Sequence, residues 1–171
     1  MARDYDEKRL YGWLRRRFDH PKLDMQRVET FAGSGVPDVN FCHGCCEGWM
    51  ELKVATVSKN DDGELRLKFK WRPAQLAWGF HRERCGGYTR VVAAVVASDW
   101  NKLQSSCRLP ADDLKVLAFK VSDLRQYARS SRKLDQRLTV ELSLEQLLRL
   151  DCYDSDLSRA LRGEPRINNG N

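Results

Sequence analysis

The chain has 171 residues, 42% of them hydrophobic, which predicts a globular domain with a core of its own. Its 30 basic and 24 acidic residues leave a net charge of +6, which favours an anionic partner, nucleic acid or a membrane surface. No apolar stretch approaches the about 20 residues that a membrane span needs, and Met-Ala-Arg-Asp-Tyr-Asp-Glu at the start has no signal-peptide core, so the protein is expected to stay in the cytoplasm where it is made.

Residues 4 to 19 read as a helix, with Leu10, Tyr11, Leu14 and Phe18 at helical spacing. Arg15, Arg16 and Arg17 fall in its last turns, where positive charge suits the helix dipole. A first strand is expected over 25 to 31, followed by a glycine-bearing loop, Ala32-Gly33-Ser34-Gly35. A second strand begins at Asp38 and runs to Cys42, and a third covers Trp49 to Thr56. His43-Gly44 and Glu47-Gly48 read as the turn between them.

Asp61-Asp62-Gly63 signals a tight turn. From Glu64 to Trp71 the chain alternates, with Leu65, Leu67, Phe69 and Trp71 on one side and Arg66, Lys68, Lys70 and Arg72 on the other. Pro73 suits a first helical position, and Gly86-Gly87 stops the helix at about Cys85. The apolar run Val91 to Ala97 suits a strand buried on both faces. A strand over 114 to 121 and a short helix over 123 to 129 follow. Ser143-Leu-Glu-Gln146 is a capping-box pattern that opens another helix.

The chemistry centres on the third strand. Residues two apart on a strand share a face, so Met50, Leu52 and Val54 point into a core while Trp49, Glu51 and Lys53 point the other way. If the second and third strands pair as a hairpin, Asp38 and Glu51 come within a few ångströms. Two carboxylates that close repel unless a cation lies between them. A pair of hard oxygen ligands with open positions suits Mg²⁺ or Mn²⁺. Lys53 can orient an attacking water or neutralise charge on a phosphorane.

The segment Ser34-Gly-Val-Pro37-Asp38, with Glu51-Leu52-Lys53 thirteen residues on from the aspartate, resembles the PD-(D/E)XK nuclease superfamily. It is similar above all to archaeal-type Holliday junction resolvases, the VRR-NUC group and small phage endonucleases. The resemblance covers about residues 5 to 98. It implies an α/β fold with a restriction-endonuclease-like core, a mixed β-sheet flanked by helices, carrying a C-terminal α/β extension.

That core would span 1–98, with the extension at 99–162 packed on it and a flexible tail at 163–171. The resemblance implies metal held by Asp38, Glu51 and the Leu52 backbone carbonyl, and a glutamate on the first helix that assists it. Glu7 is the candidate, with capping in Asp4-Tyr-Asp-Glu7 as its other role and Glu29 as a substitute. Gln75 matches the glutamine of the family's following helix; at a helix N-terminus it can also meet phosphate or satisfy a free amide.

The expected activity is Mg²⁺-dependent DNA endonuclease, cutting Holliday junctions or other branched DNA in a bacterial or phage-infected cell. A restriction- or repair-type nuclease and a silent DNA-binding module are the alternatives. Arg66, Lys68, Lys70 and Arg72, with Arg15, Arg16 and Lys59, would form a phosphate track. The same row could instead protect an exposed edge strand. A homodimer is expected, since a four-way junction needs two symmetric nicks and the chain carries one site. Cys42-His-Gly-Cys45-Cys46 reads as packed thiols at a turn, because a structural zinc site wants two spaced ligand pairs.

Overall fold

The computed structural model describes residues 6–18, 21–28, 35–43, 46–96, 114–130, 138–143 and 146. Helix α1 covers Glu7–Arg17. Strands β1 (Leu23–Arg27), β2 (Val39–His43), β3 (Cys46–Lys59) and β4 (Leu65–Trp71) follow, then helix α2 (Pro73–Arg84) and strand β5 (Tyr88–Val96). The chain continues through β6 (Leu114–Phe119), α3 (Val121–Arg125), β7 (Ala128–Ser130) and β8 (Leu138–Ser143).

The eight strands form one mixed sheet flanked by helices. Six run in the order β1-β2-β3-β4-β8-β7, while β5 lies beside β3 and β6 beside β5. The β3–β5 pair is parallel, bridged by the β4–α2 crossover, and the other pairs are antiparallel. Among the described residues no helix is long and apolar enough to cross a membrane.

Each face of the sheet carries its own core. Leu10 and Leu14 of α1 meet Val39, Phe41, Met50, Leu52, Val92 and Ala94 on one face. Leu76 and Phe80 of α2 cover Ala55, Val57, Phe69, Trp71, Val91 and Val95 on the other. The apolar run in β5 is thereby buried on both sides, as its lack of alternation implies.

Several boundaries differ from the sequence reading. Helix α1 starts later because Asp6 is its N-cap, with Oδ1 accepting from the Arg9 amide at 2.8 Å. Glu7 is therefore the first helical residue and not the third residue of a capping box begun at Asp4. Glu47 and Gly48 belong to β3 and not to the turn. A Cβ on Gly48 would lie 2.5 Å from Phe41 Cζ and 2.8 Å from Tyr88 Cδ1, so only glycine lets those rings meet edge to face across the strand.

Strand β4 lies inside the sheet, between β3 and β8, so its basic row does not guard an edge. The stretch 123–129 divides between the end of α3 and β7. The Ser143–Gln146 capping box forms, with Gln146 N–H donating to Ser143 Oγ at 3.2 Å and Ser143 N–H to Gln146 Oε1 at 2.8 Å. The helix it opens, Glu29, Cys45 and the tail at 163–171 lie outside the described residues.

Candidate active site

Strand β3 is shared among three partners. Cys46–Met50 pair with β2, Thr56–Lys59 pair with β4, and Gly48–Ala55 pair with β5. Among the described residues, positions 51 to 55 are thus paired on one side only. Their other side faces a gap between β2 and β4, and the candidate residues gather there.

Asp38 stands just before β2, where the register puts Val39 opposite Met50. Extended by one residue, that register sets Asp38 against Glu51. The Asp38 carboxylate turns into the gap, and its Oδ2 accepts from the Leu52 amide at 2.9 Å. The N–H and C=O of a strand residue share an edge, so the Leu52 carbonyl faces the same gap.

Gly35, three residues before Asp38, lies against α2. Gly35 has φ +115°, and a Cβ there would lie 2.7 Å from the Ala74 carbonyl oxygen. Glycine therefore suits that position twice, by dihedral and by space.

Glu51 and Lys53 share the opposite face from Met50 and Leu52, as alternation requires. That face is not open: Glu51 is 2% exposed and Lys53 8%. Lys53 Nζ is hydrogen-bonded to Glu51 Oε1 and lies 3.5 Å from Glu7 Oε1. Burial pushes the Glu51 carboxyl up to about 8; the Lys53 ammonium works against this, and the Asp38 and Glu7 carboxylates add to it. Glu51 Oε2 is buried with no hydrogen-bond partner.

The donor set fits a hard divalent cation. It offers two carboxylates, a strand carbonyl and one buried carboxylate oxygen without a partner, which are the ligand types Mg²⁺ takes when it also keeps waters. Among the described residues no group of three or more His, Cys, Asp and Glu side chains could hold a metal ion. Any ion here would rest on the Asp38–Glu51 pair and the Leu52 carbonyl.

No family model matches the chain, and no curated protein matches it. Among solved structures, it is similar to Hjc of Archaeoglobus fulgidus, a Holliday junction resolvase from an archaeal hyperthermophile. The TM-score is 0.47 and the identity 12%, over 82% of this chain and 91% of that one. At that identity nothing transfers residue by residue, so each position is taken from its own contacts.

The other candidates are spread more widely. Gln75 is buried at the start of α2, where its Oε1 accepts from the Arg72 amide at 3.3 Å. That is a capping bond, and no described hydrogen bond joins Gln75 to Asp38, Glu51 or Lys53. Arg15 and Arg16 line a separate cleft of about 440 Å³ with Asp24, between α1 and β1. Lys59 is exposed at the far end of β3. Arg66 pairs with Glu64 at 2.8 Å and Glu141 at 3.8 Å, and Lys68 pairs with Glu141 at 3.5 Å.

Lys70 instead donates to Thr139 Oγ1 at 3.1 Å. A cleft of about 400 Å³ joins Lys70 to the site, lined by Glu7, Lys53, Thr56, Lys68, Lys70 and Thr139. Thr139 and Glu141 were missed by the sequence reading. The alternation of Leu138-Thr-Val-Glu-Leu142 was the available signal, with Val140 and Leu142 buried in turn.

Proposed function

We propose that this protein is a Mg²⁺- or Mn²⁺-dependent endodeoxyribonuclease of the PD-(D/E)XK type, with Asp38, Glu51 and Lys53 at its centre. The observation that carries this reading is the sheet gap at residues 51 to 55. It gathers two carboxylates, a strand carbonyl and a lysine around one point, with the Glu51 Oε2 atom buried and unsatisfied. A buried carboxylate oxygen without a partner calls for an explanation, and a bound cation supplies one.

Asp38, Glu51 and the Leu52 carbonyl would hold the cation. Once bound, the ion supplies Lewis-acid stabilisation of the phosphodiester and lowers the pKa of the attacking water. The chain does the rest by position. The Leu52 amide fixes the Asp38 carboxylate through Oδ2, and Oδ1 would be the oxygen offered to the cation. Glu51 would hold the cation as the ionised carboxylate.

Lys53 holds Glu51 and Glu7 through two of its three donors. The third can meet the non-bridging oxygen on which charge builds as the water attacks phosphorus and the P–O bond breaks. Glu7, within reach of Lys53, would orient that lysine and assist the metal side of the site.

The substrate we infer is branched DNA, a four-way junction first, cut by a homodimer. One chain carries one such site, a junction needs two symmetric nicks, and two-fold dimers supply symmetric pairs. The test is incubation with labelled four-way, flapped, single-stranded and linear duplex DNA, with Mg²⁺ or with EDTA, alongside light scattering. Mg²⁺-dependent cutting with a preference for the junction supports the whole reading. A monomer that cuts duplex as fast as junction would leave a nicking nuclease. Tight DNA binding with no cleavage in any metal would leave a binding module.

A further inference from the structure

The basic row on β4 is not uniform. Arg66 and Lys68 face Glu141 of β8, and Arg66 also holds Glu64, so both cations are locally neutralised. Lys70, two residues on, is exposed, and among the described residues no carboxylate pairs with it. Its neighbour across the β4–β8 ladder is Thr139, at 3.1 Å. A neutral hydroxyl leaves the full charge on the ammonium. Because Thr139 Oγ1 accepts from Lys70, its own O–H hydrogen remains free to donate. The two side chains therefore present a positive charge and two kinds of donor to one point, as an anion requires.

This point opens on the cleft that ends at Lys53 and Glu7. The phosphate to be cut would meet Lys53 at that end, and Lys70–Thr139 favours a second phosphate at the other. We propose that Lys70 and Thr139 form a phosphate subsite that grips the substrate strand beside the bond to be cut. Strand β8 is then part of the DNA-binding surface, and Arg66 and Lys68 are not. This rests on the nuclease reading above.

The test uses the full chain carrying Asp38→Asn for binding without turnover, and the otherwise unchanged protein for cleavage. Binding to a labelled duplex is followed by fluorescence anisotropy across a potassium chloride series. Lys70→Met and Thr139→Val should each weaken binding about five- to tenfold near 0.1 M salt, as expected for one charge-assisted contact. Lys70→Met should flatten the salt slope by about 0.9, the loss of one phosphate contact on duplex. Lys70→Arg should restore both, and Lys68→Met should change affinity less than about twofold, as expected of an already paired cation.

In cleavage, Lys70→Met should raise KM and spare kcat. A parent that cuts DNA while Lys70→Met keeps its slope and affinity overturns the subsite alone. So does a Lys68→Met effect equal to that of Lys70→Met. A parent that neither binds nor cuts DNA overturns the nuclease reading, and the subsite falls with it.

Discussion

Glu51→Gln tests the site through stability before any substrate is added. In the metal-free protein the Glu51 carboxyl is raised from 4.5 to about 8, chiefly by burial. The folded state then holds a proton that the unfolded state has released, so the group weakens the fold as pH rises. The penalty is absent below about 4.5, grows between 4.5 and 8, and is complete above 8.

At about 1.36 kcal/mol per tenfold of proton affinity, the full interval corresponds to about 5 kcal/mol, and about 3 kcal/mol of it is present at pH 7. Glutamine does not titrate. In EDTA, urea unfolding of the two proteins should therefore diverge by about 1.36 kcal/mol per pH unit between pH 5 and 8, with the variant favoured as pH rises. The slope carries the test, because the amide also alters the Lys53 contact. Mg²⁺ must displace the same proton, so its apparent affinity for the unaltered protein should rise about tenfold per unit over that range. Parallel pH profiles for the two proteins, or a pH-independent Mg²⁺ affinity, would refute the assignment of Glu51 as a buried ligand.

Cleavage should vanish in EDTA, and Asp38→Asn should lower it at least about a thousandfold while leaving the melting temperature near that of the parent, since an amide oxygen can still accept from Leu52; full activity in either condition would remove the metal from the mechanism. Lys53→Met should reduce single-turnover cleavage by about 10²- to 10³-fold with DNA affinity kept within about threefold, as expected of a group that acts on transition-state charge. Gly48→Ala should cost about 1–3 kcal/mol of stability by overpacking against the Phe41 and Tyr88 rings, read as a lower urea midpoint with an unchanged m-value.

The parts of the fold that local pattern governs were legible in the sequence. The alternation of β4, the Pro73 start and glycine stop of α2, and the doubly buried β5 each follow from side-chain period or backbone preference. The Pro37-Asp38 and Glu51-Leu52-Lys53 segments do meet, because the β2–β3 register brings them together. What escaped depends on partners distant in sequence. Lys68 looked like an exposed edge cation because nothing near it reveals Glu141, its neighbour across the β4–β8 ladder. The burial of Glu51 and Lys53 was not legible either, since alternation gives the face a side chain takes and not what lies over it. The start of α1 was misplaced because Asp4 and Asp6 compete as caps, and pattern alone does not rank them.

The two cores divide β3 between them residue by residue. Met50 and Leu52 belong to the layer under α1, and Ala55 and Val57 to the layer under α2. A slip of one position would drive Glu51 and Lys53 into the oily layer beneath Leu10 and Leu14 and expel Met50 and Leu52 from it. The reading frame of the chemistry is therefore enforced by apolar residues that never touch a substrate. Within this strand an exchanged side chain acts at its own position, whereas an added or removed residue would shift every position beyond it. Changes in length are confined to turns such as Asp61-Asp62-Gly63, where a Cβ on Gly63 would meet nothing within 4 Å.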